Sequence, residues 1–241
     1  MTAVNLDALD LAALLCSRVC HDVISPVGAI INGLEMLDEE KDAEMRAMAL
    51  DLVRKSATTA SARLQFCRLA FGAAGSAGAS IDTGDAEKVT RGLLGDGKIS
   101  LDWVGMRQLM PKNKVKVILN LCLIAIACIP RGGIVRVTIE GAGDNFTVAA
   151  HGPNARLAQS VPAALACAPE SGSVDAHAIQ PFFTGLVARE CGLALTLKAE
   201  PECVSIAAAS AAKAIDTSDL QAAARAMADA APELLLAQTA A

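Results

Sequence analysis

The sequence predicts an α+β chain, a two-helix hairpin at the N-terminus followed by an α/β sandwich, and three observations lead to it. Helical periodicity fills two stretches before residue 72, with an acidic break between them. Gly72 to Ser80, Gly-Ala-Ala-Gly-Ser-Ala-Gly-Ala-Ser, is a linker by composition. Beyond it helical stretches alternate with period-2 runs, as expected for helices packed on one face of a mixed or antiparallel sheet. The division is a helical hairpin and dimerisation unit over 1–72, a linker over 73–80, the sandwich over 81–210 and an alanine-rich tail over 211–241.

From Leu6 to about Leu37, small or apolar side chains fall at Cys16, Cys20, Val23, Val27, Ile30, Leu34 and Leu37, the 3,4 alternation of a helix with a coiled-coil-like seam. Asp38-Glu39-Glu40-Lys41-Asp42 breaks the pattern. A second helical stretch runs from Ala43 to about Phe71, with apolar positions Met45, Met48, Ala49, Leu52, Val53, Ala60, Leu64, Cys67 and Phe71. Two long helices joined by so short a turn pack antiparallel. A lone hairpin covers only one side of each seam, so a second copy is expected to complete a C2 four-helix bundle, making the protein a homodimer.

In the sandwich, the pattern predicts a helix near Gly84 to Leu94, a strand from Ile99 to Val104, and an apolar helix from Lys114 to Ile129 stopped by Pro130 and Gly132-Gly133. Ile134 to Glu140 and Phe146 to His151 flank Gly141-Ala142-Gly143-Asp144-Asn145 and read as a hairpin. A short helix near Ala155 to Ala166, a helix from about Ala176 to Cys191, and strands Leu193 to Ala199 and Cys203 to Ala209 complete the unit. The tail after Ser210 shows a helical stretch from Thr217 to Ala230 and no chemistry.

Composition removes several classes of function. The 241 residues, 53% hydrophobic, suffice for packed cores. A net charge of −5 and 2% aromatic residues oppose phosphate-backbone binding and base stacking, so nucleic acid is not an expected direct partner. Met1 to Asp10 lacks the basic and apolar regions of a signal peptide, and charges recur in the longer apolar stretches, so a cytoplasmic chain off the membrane is expected. The eight cysteines form no CxxC pair and read as buried free thiols. Cys16 and Cys20 have the i, i+4 spacing of a helical metal pair, but no second pair follows, and no bound metal is expected.

The informative segment is Ser17-Arg18-Val19-Cys20-His21-Asp22-Val23-Ile24-Ser25-Pro26-Val27-Gly28-Ala29-Ile30. At ~100° per residue His21 projects roughly 155° from the apolar seam, toward solvent. Arg18, Ser25, Gly28 and Asn32 share its stripe at spacings of three and four. A solvated surface histidine is the ordinary explanation for one such residue. The context points elsewhere, because histidine, an acid immediately after it and proline five positions on, within the first helix of a hairpin, resemble the H-box of histidine-kinase dimerisation domains. Imidazole is a nucleophile near neutral pH, and Asp22 is placed to hold its tautomer. Arg18 stands one turn before His21, where a guanidinium could hold phosphoryl oxygens.

A kinase-like hairpin implies an ATP-binding GHKL (Bergerat-like) domain after it, and the order of elements fits while the signature residues do not. Asn120 matches the first asparagine of the kinase N-box, but the Mg²⁺-binding asparagine position is Ile124. Ala150-His151-Gly152-Pro153-Asn154 lies where a kinase has Asp-x-Gly-x-Gly, with Ala150 in place of the adenine-reading aspartate. Phe183-Thr184-Gly185-Leu186 keeps one glycine of the later glycine-rich box. His151 and His177 are read as structural or surface residues.

A hairpin with an acceptor histidine joined to a GHKL-like sandwich without nucleotide boxes resembles the ChpT family of alphaproteobacterial histidine phosphotransferases. The resemblance spans about Leu9 to Ala209, with Cys-His-Asp-x-x-Ser-Pro and the Asp102-Trp103 pair its most recognisable pieces. It implies a phosphorelay carrier in a two-component system. His21 would take a phosphoryl group from the receiver domain of a hybrid histidine kinase and pass it to response regulators of the CtrA type, in cell-cycle regulation. It also implies that the chain binds no ATP or other cofactor of its own, Mg²⁺ being supplied by the partner receiver. The receiver is expected against Arg18, Ile24, Ser25, Gly28 and Ile31, with an edge of the second domain. Two other readings stay open on sequence alone: an atypical sensor histidine kinase with autokinase activity, and a non-catalytic dimeric adaptor.

Overall fold

The structure, a computed structural model, describes residues 6–72, 79–169 and 172–211. The tail expected after Ser210 and most of the linker fall outside the described residues. Helix α1 (Ala8–Glu39) starts at Asp7, whose carboxylate accepts from the Leu9 and Asp10 N–H groups. Helix α2 (Ala43–Ala70) starts at Asp42 in the same way, accepting from Glu44 and Met45. The acidic break is thus a cap: Glu40 accepts from the Lys41 and Asp42 N–H groups, and Arg46 donates to the Leu37 and Glu40 carbonyls at the end of α1.

The face of α1 that α2 covers differs from the expected seam. Cys16, Cys20, Val27 and Leu34 are exposed, and the buried residues of α1 are Pro26 and Gly33. Small residues define this face because they let the helices close up: a Cβ on Gly33 would stand 2.7 Å from Val53 Cγ2 and 3.3 Å from the Ala49 carbonyl oxygen. The large apolar side chains turn outward, with Val27, Ile31 and Leu34 of α1 and Met45, Met48 and Leu52 of α2 all exposed. That open stripe makes α1, among the described residues, a helix long and apolar enough to cross a membrane by length and composition.

The second unit runs β1 (Ser80–Asp82), α3 (Thr83–Leu94), β2 (Ile99–Val104), β3 (Leu109–Pro111), α4 (Lys112–Cys128), β4 (Gly133–Glu140), β5 (Asn145–His151), α5 (Ser160–Leu165), α6 (Ile179–Glu190), β6 (Leu193–Glu200) and β7 (Cys203–Ser210). Five strands form one mixed sheet in the order β2-β4-β5-β7-β6, with only the β2 and β4 pair parallel. The short antiparallel β1 and β3 pair had no sequence signal, since three-residue strands are too brief to show a period. Helix α5 starts later than its apolar pattern suggested, which leaves Pro162 in the first turn, where its missing N–H costs nothing. Helix α6 likewise begins after a turn in which Asp175 accepts from the His177 and Ala178 N–H groups.

Helix α4 is buried almost all round between the sheet and its neighbours, with Val115, Val117, Ile118, Leu119, Leu121 and Cys122 fully enclosed. Phe66, Leu69 and Ala70 from the end of α2 belong to the same core, and Asn120 donates to the Ala70 carbonyl. A smaller cluster pins the other helix: Leu11, Leu14 and Leu15 of α1 pack on Ala164, Cys167, Ile179 and Phe182. The hairpin is therefore held to the sandwich through both helices, which fixes the groove between them.

Candidate functional site

The His21 side chain is 77% exposed, so α1 presents the imidazole to solvent. Its Nδ1 lies 3.4 Å from Asp22 Oδ1, and the same oxygen is 3.2 Å from Arg18 Nη2 one turn earlier. Asp22 and Arg18 are much less exposed than the histidine. An oriented carboxylate thus stands on the Nδ1 side of the ring and leaves the Nε2 edge outward.

Arg18, His21, Asp22, Ile24 and Ser25 line a groove of about 480 Å³ together with Arg63, Phe66 and Cys67 of α2, Leu93 and Leu94 of α3, and Leu123 and Ile126 of α4. Gly28 and Ile31 lie farther along α1, outside this lining. No atom stands within 4 Å of a Cβ built on Gly28, and Ile31 is 52% exposed. Ile24 at the rim is 70% exposed, an apolar surface at the mouth of the groove.

Arg63 was missed at the sequence level. Its Nη1 donates to the Asp22 carbonyl oxygen from across the hairpin. The signal existed: Ala49, Val53, Ser56, Ala60 and Cys67 step along the packed face of α2 by three and four, and position 63 fills the one gap in that series. Cys67 lies beneath the groove with its thiol pushed up to about 11, first by burial and then by the Asp22 charge, against the opposing pull of Arg18 and Arg63. It stays protonated near neutral pH and does not compete with the imidazole as a nucleophile.

The asparagine that matches the kinase N-box in sequence is turned inward. Asn120 is buried, donates to the Ala70 and Lys116 carbonyls, and accepts from Gln180 Nε2 at 3.0 Å. Ile124 and Ala150 are buried and apolar. Gly152 and Gly185 serve close packing: a Cβ on Gly152 would stand 2.4 Å from the Gly132 carbonyl oxygen, and one on Gly185 only 2.1 Å from that of Leu165. Among the described residues no group of three or more His, Cys, Asp and Glu side chains gathers as metal ligands would. Asp102 and Trp103 sit on β2, where Asp102 pairs with Arg136 on β4 at 2.7 Å.

The sequence from Thr83 to Cys203 matches the family described as histidine phosphotransferase C-terminal domain, residues 83–203. Over 201 residues the chain is 49% identical to the protein phosphotransferase ChpT of Brucella abortus (strain 2308), covering 83% of this chain and 95% of that protein. The chain belongs to the ChpT family of histidine phosphotransferases. A solved bacterial phosphotransferase, known at 1.7 Å, superposes with a TM-score of 0.78 at 44% identity, over 86% of this chain and all of that one. The Acinetobacter baumannii histidine kinase AdeS aligns over 78% of this chain at 12% identity with a TM-score of 0.40, too distant to add weight.

Proposed function

We propose that this ChpT-family protein relays a phosphoryl group on His21 between receiver domains, from a hybrid histidine kinase to response regulators of the CtrA type. The observation that carries the reading is the exposed imidazole of His21, held on its Nδ1 side by Asp22 at the mouth of a groove shared by both units. In the forward step Nε2 attacks the phosphorus of an aspartyl phosphate. The N–P bond forms as the acyl O–P bond breaks, and the aspartate leaves as a carboxylate. Asp22 stabilises the positive imidazole so produced by accepting from Nδ1–H, and Arg18 offers charge to the phosphoryl oxygens. The step reverses when an unphosphorylated receiver docks. Most of the catalysis is positioning and charge neutralisation, with Mg²⁺ brought by the acidic pocket of the receiver.

Docking is assigned to Arg18, Ile24, Ser25, Gly28 and Ile31. Ile24 and Ile31 are exposed, and the open space over Gly28 lets a partner backbone come close. The sandwich does not fit a nucleotide: Ile124 offers no oxygen to Mg²⁺, Ala150 offers no carboxylate to adenine, and Gly185 is occupied by the backbone of α5. A second copy of the chain is assigned to the stripe of Val27, Ile31, Leu34, Met48 and Leu52, because so much exposed apolar surface is costly in water. The protein is placed in the cytoplasm. Arg18, His21 and Asp22 near the middle of α1 oppose insertion in a membrane, where each charge at the centre costs roughly 2.5–3.5 kcal/mol.

The test is incubation with a receiver domain charged by acetyl phosphate. Acid-labile phosphate is expected on His21, with none on the His21→Ala variant, and no labelling from Mg-ATP alone. Uptake by the alanine variant at the wild-type rate would refute the assignment.

A further inference from the structure

A proline inside a helix has no N–H for the carbonyl four residues earlier. Helix α1 runs unbroken from Ala8 to Glu39 with Pro26 inside it. The carbonyl deprived of its helical donor is therefore that of Asp22, the residue beside His21. Leaving such a carbonyl unpaired in a half-buried interface is costly.

The donor comes from the other helix. Arg63 Nη1 donates to the Asp22 carbonyl oxygen across 41 positions of sequence. Arg63 is half-buried and completes the series Ala49, Val53, Ser56, Ala60, Cys67 on the face of α2 that packs on α1. A guanidinium at a packing position is costly unless hydrogen-bonded, and the vacated carbonyl offers such a bond. Pro26 is itself buried on that face, so the residue that removes one donor and the residue that supplies another lie in the same helix–helix contact.

We propose that Pro26 and Arg63 are a matched pair that positions the acceptor histidine: the proline vacates the Asp22 carbonyl, the arginine takes it, and the turn bearing His21 and Asp22 is thereby fastened to α2. Arg63 acts through Asp22 and is a positioning residue. With its carbonyl held from below, Asp22 keeps its carboxylate between His21 Nδ1 and Arg18. The inference rests on the reading of His21 as the acceptor, but the pairing itself is a property of the hairpin.

The experiment is a double-mutant cycle on the full chain with Arg63→Met, Pro26→Ala and the two combined, and with Arg63→Lys as the conservative variant. Transfer is followed from a receiver domain charged by acetyl phosphate, over a range of receiver concentrations, and thermal unfolding is recorded in parallel. Arg63→Met is expected to slow transfer at saturating receiver roughly tenfold while leaving the half-saturating concentration unchanged. Arg63→Lys restores part of the rate. In the Pro26→Ala background the alanine N–H returns to the Asp22 carbonyl, so adding Arg63→Met there slows transfer less than about twofold. The ¹⁵N shifts of the His21 ring report the same coupling: Arg63→Met alters the Nδ1–H to Nε2–H tautomer ratio in the presence of Pro26 and leaves it unaltered in the Pro26→Ala background.

Effects that simply multiply across the cycle would overturn the proposal, as would a loss of melting temperature in Arg63→Met with the saturated rate and the ring shifts unmoved. The relay reading fails separately, if the wild-type chain takes up no phosphate. The ring shifts of the four proteins then still decide the pairing, coupled shifts upholding it and uncoupled shifts refuting it.

Discussion

Gly185 and Gly28 are both helical glycines with room for opposite outcomes. Replacing a helix-interior glycine by alanine gains about 1 kcal/mol of helix propensity at either site. At Gly28 a Cβ meets nothing within 4 Å, so Gly28→Ala is expected to stabilise by most of that gain. At Gly185 the Cβ would lie 2.1 Å from the Leu165 carbonyl oxygen, 2.9 Å from its carbon and 3.0 Å from Cys167 Sγ. Overpacking costs roughly 1–3 kcal/mol where side chains can move aside. Here the obstacle is the backbone of α5, so the upper end applies, and subtracting the propensity gain leaves a net loss of about 2 kcal/mol. For a chain of this size that is a fall of roughly 4–8 °C in Tm, against a rise of a few degrees for Gly28→Ala. Differential scanning calorimetry and urea titration of the two variants read the difference. If Gly185→Ala proved as stable as Gly28→Ala, α5 would not be seated on α6, and the argument that packing leaves no room at Gly185 would fail.

Four further outcomes are expected. Gly28→Arg fills the open surface two turns along α1 from His21 and should slow phosphoryl uptake about tenfold or more with the fold intact by circular dichroism; an unchanged rate removes Gly28 from the docking surface. Leu34→Glu combined with Met48→Glu places charge on the exposed stripe of the hairpin and should yield a 24.7 kDa monomer by light scattering, with the wild type expected at twice that mass if the proposed pairing of two copies holds. Cys67, Cys122 and Cys128, with thiols pushed up by burial to about 11, 12 and 11, should resist iodoacetamide at neutral pH until the protein is unfolded, as peptide mass spectrometry would detect. The Asp82 carboxyl is held below its ordinary value by the Gly84 N–H and then by Arg107. A lowered folded value means that its contribution is complete above the ordinary carboxylate range and is lost as pH falls through the lowered value, so Asp82→Asn should flatten the acid limb of a stability profile and leave its neutral part the same shape.

Much of this chain is legible in its residues. The capped acidic break, the hairpin, the strand Ile99 to Val104 and the period-2 runs around Gly141 depend on local propensity and on interactions a few positions apart, which a pattern records directly. His21 is exposed as expected, although the seam from which its direction was measured is not the face that α2 covers. The packed face of α1 was misread because apolarity and packing diverge there: the pattern weighs the large residues Val27 and Leu34, whereas the closest helix approach selects Pro26 and Gly33. Arg63 was passed over for the same reason, since a charged residue on an apolar face reads as a gap until the carbonyl it serves is seen.

By itself, then, the sequence determined the elements, the H-box-like run with its solvent-facing imidazole, and the family resemblance, because each is written in neighbouring residues. Only the tertiary structure decided what surrounds that imidazole. The groove exists because Leu11, Leu14 and Leu15 lock α1 onto α6 while Phe66 and Leu69 carry α2 into the core of the sandwich. The contacts of α1 with α6 join residues more than 100 positions apart, and no local period encodes which apolar side chains will find one another once water has been expelled from between them.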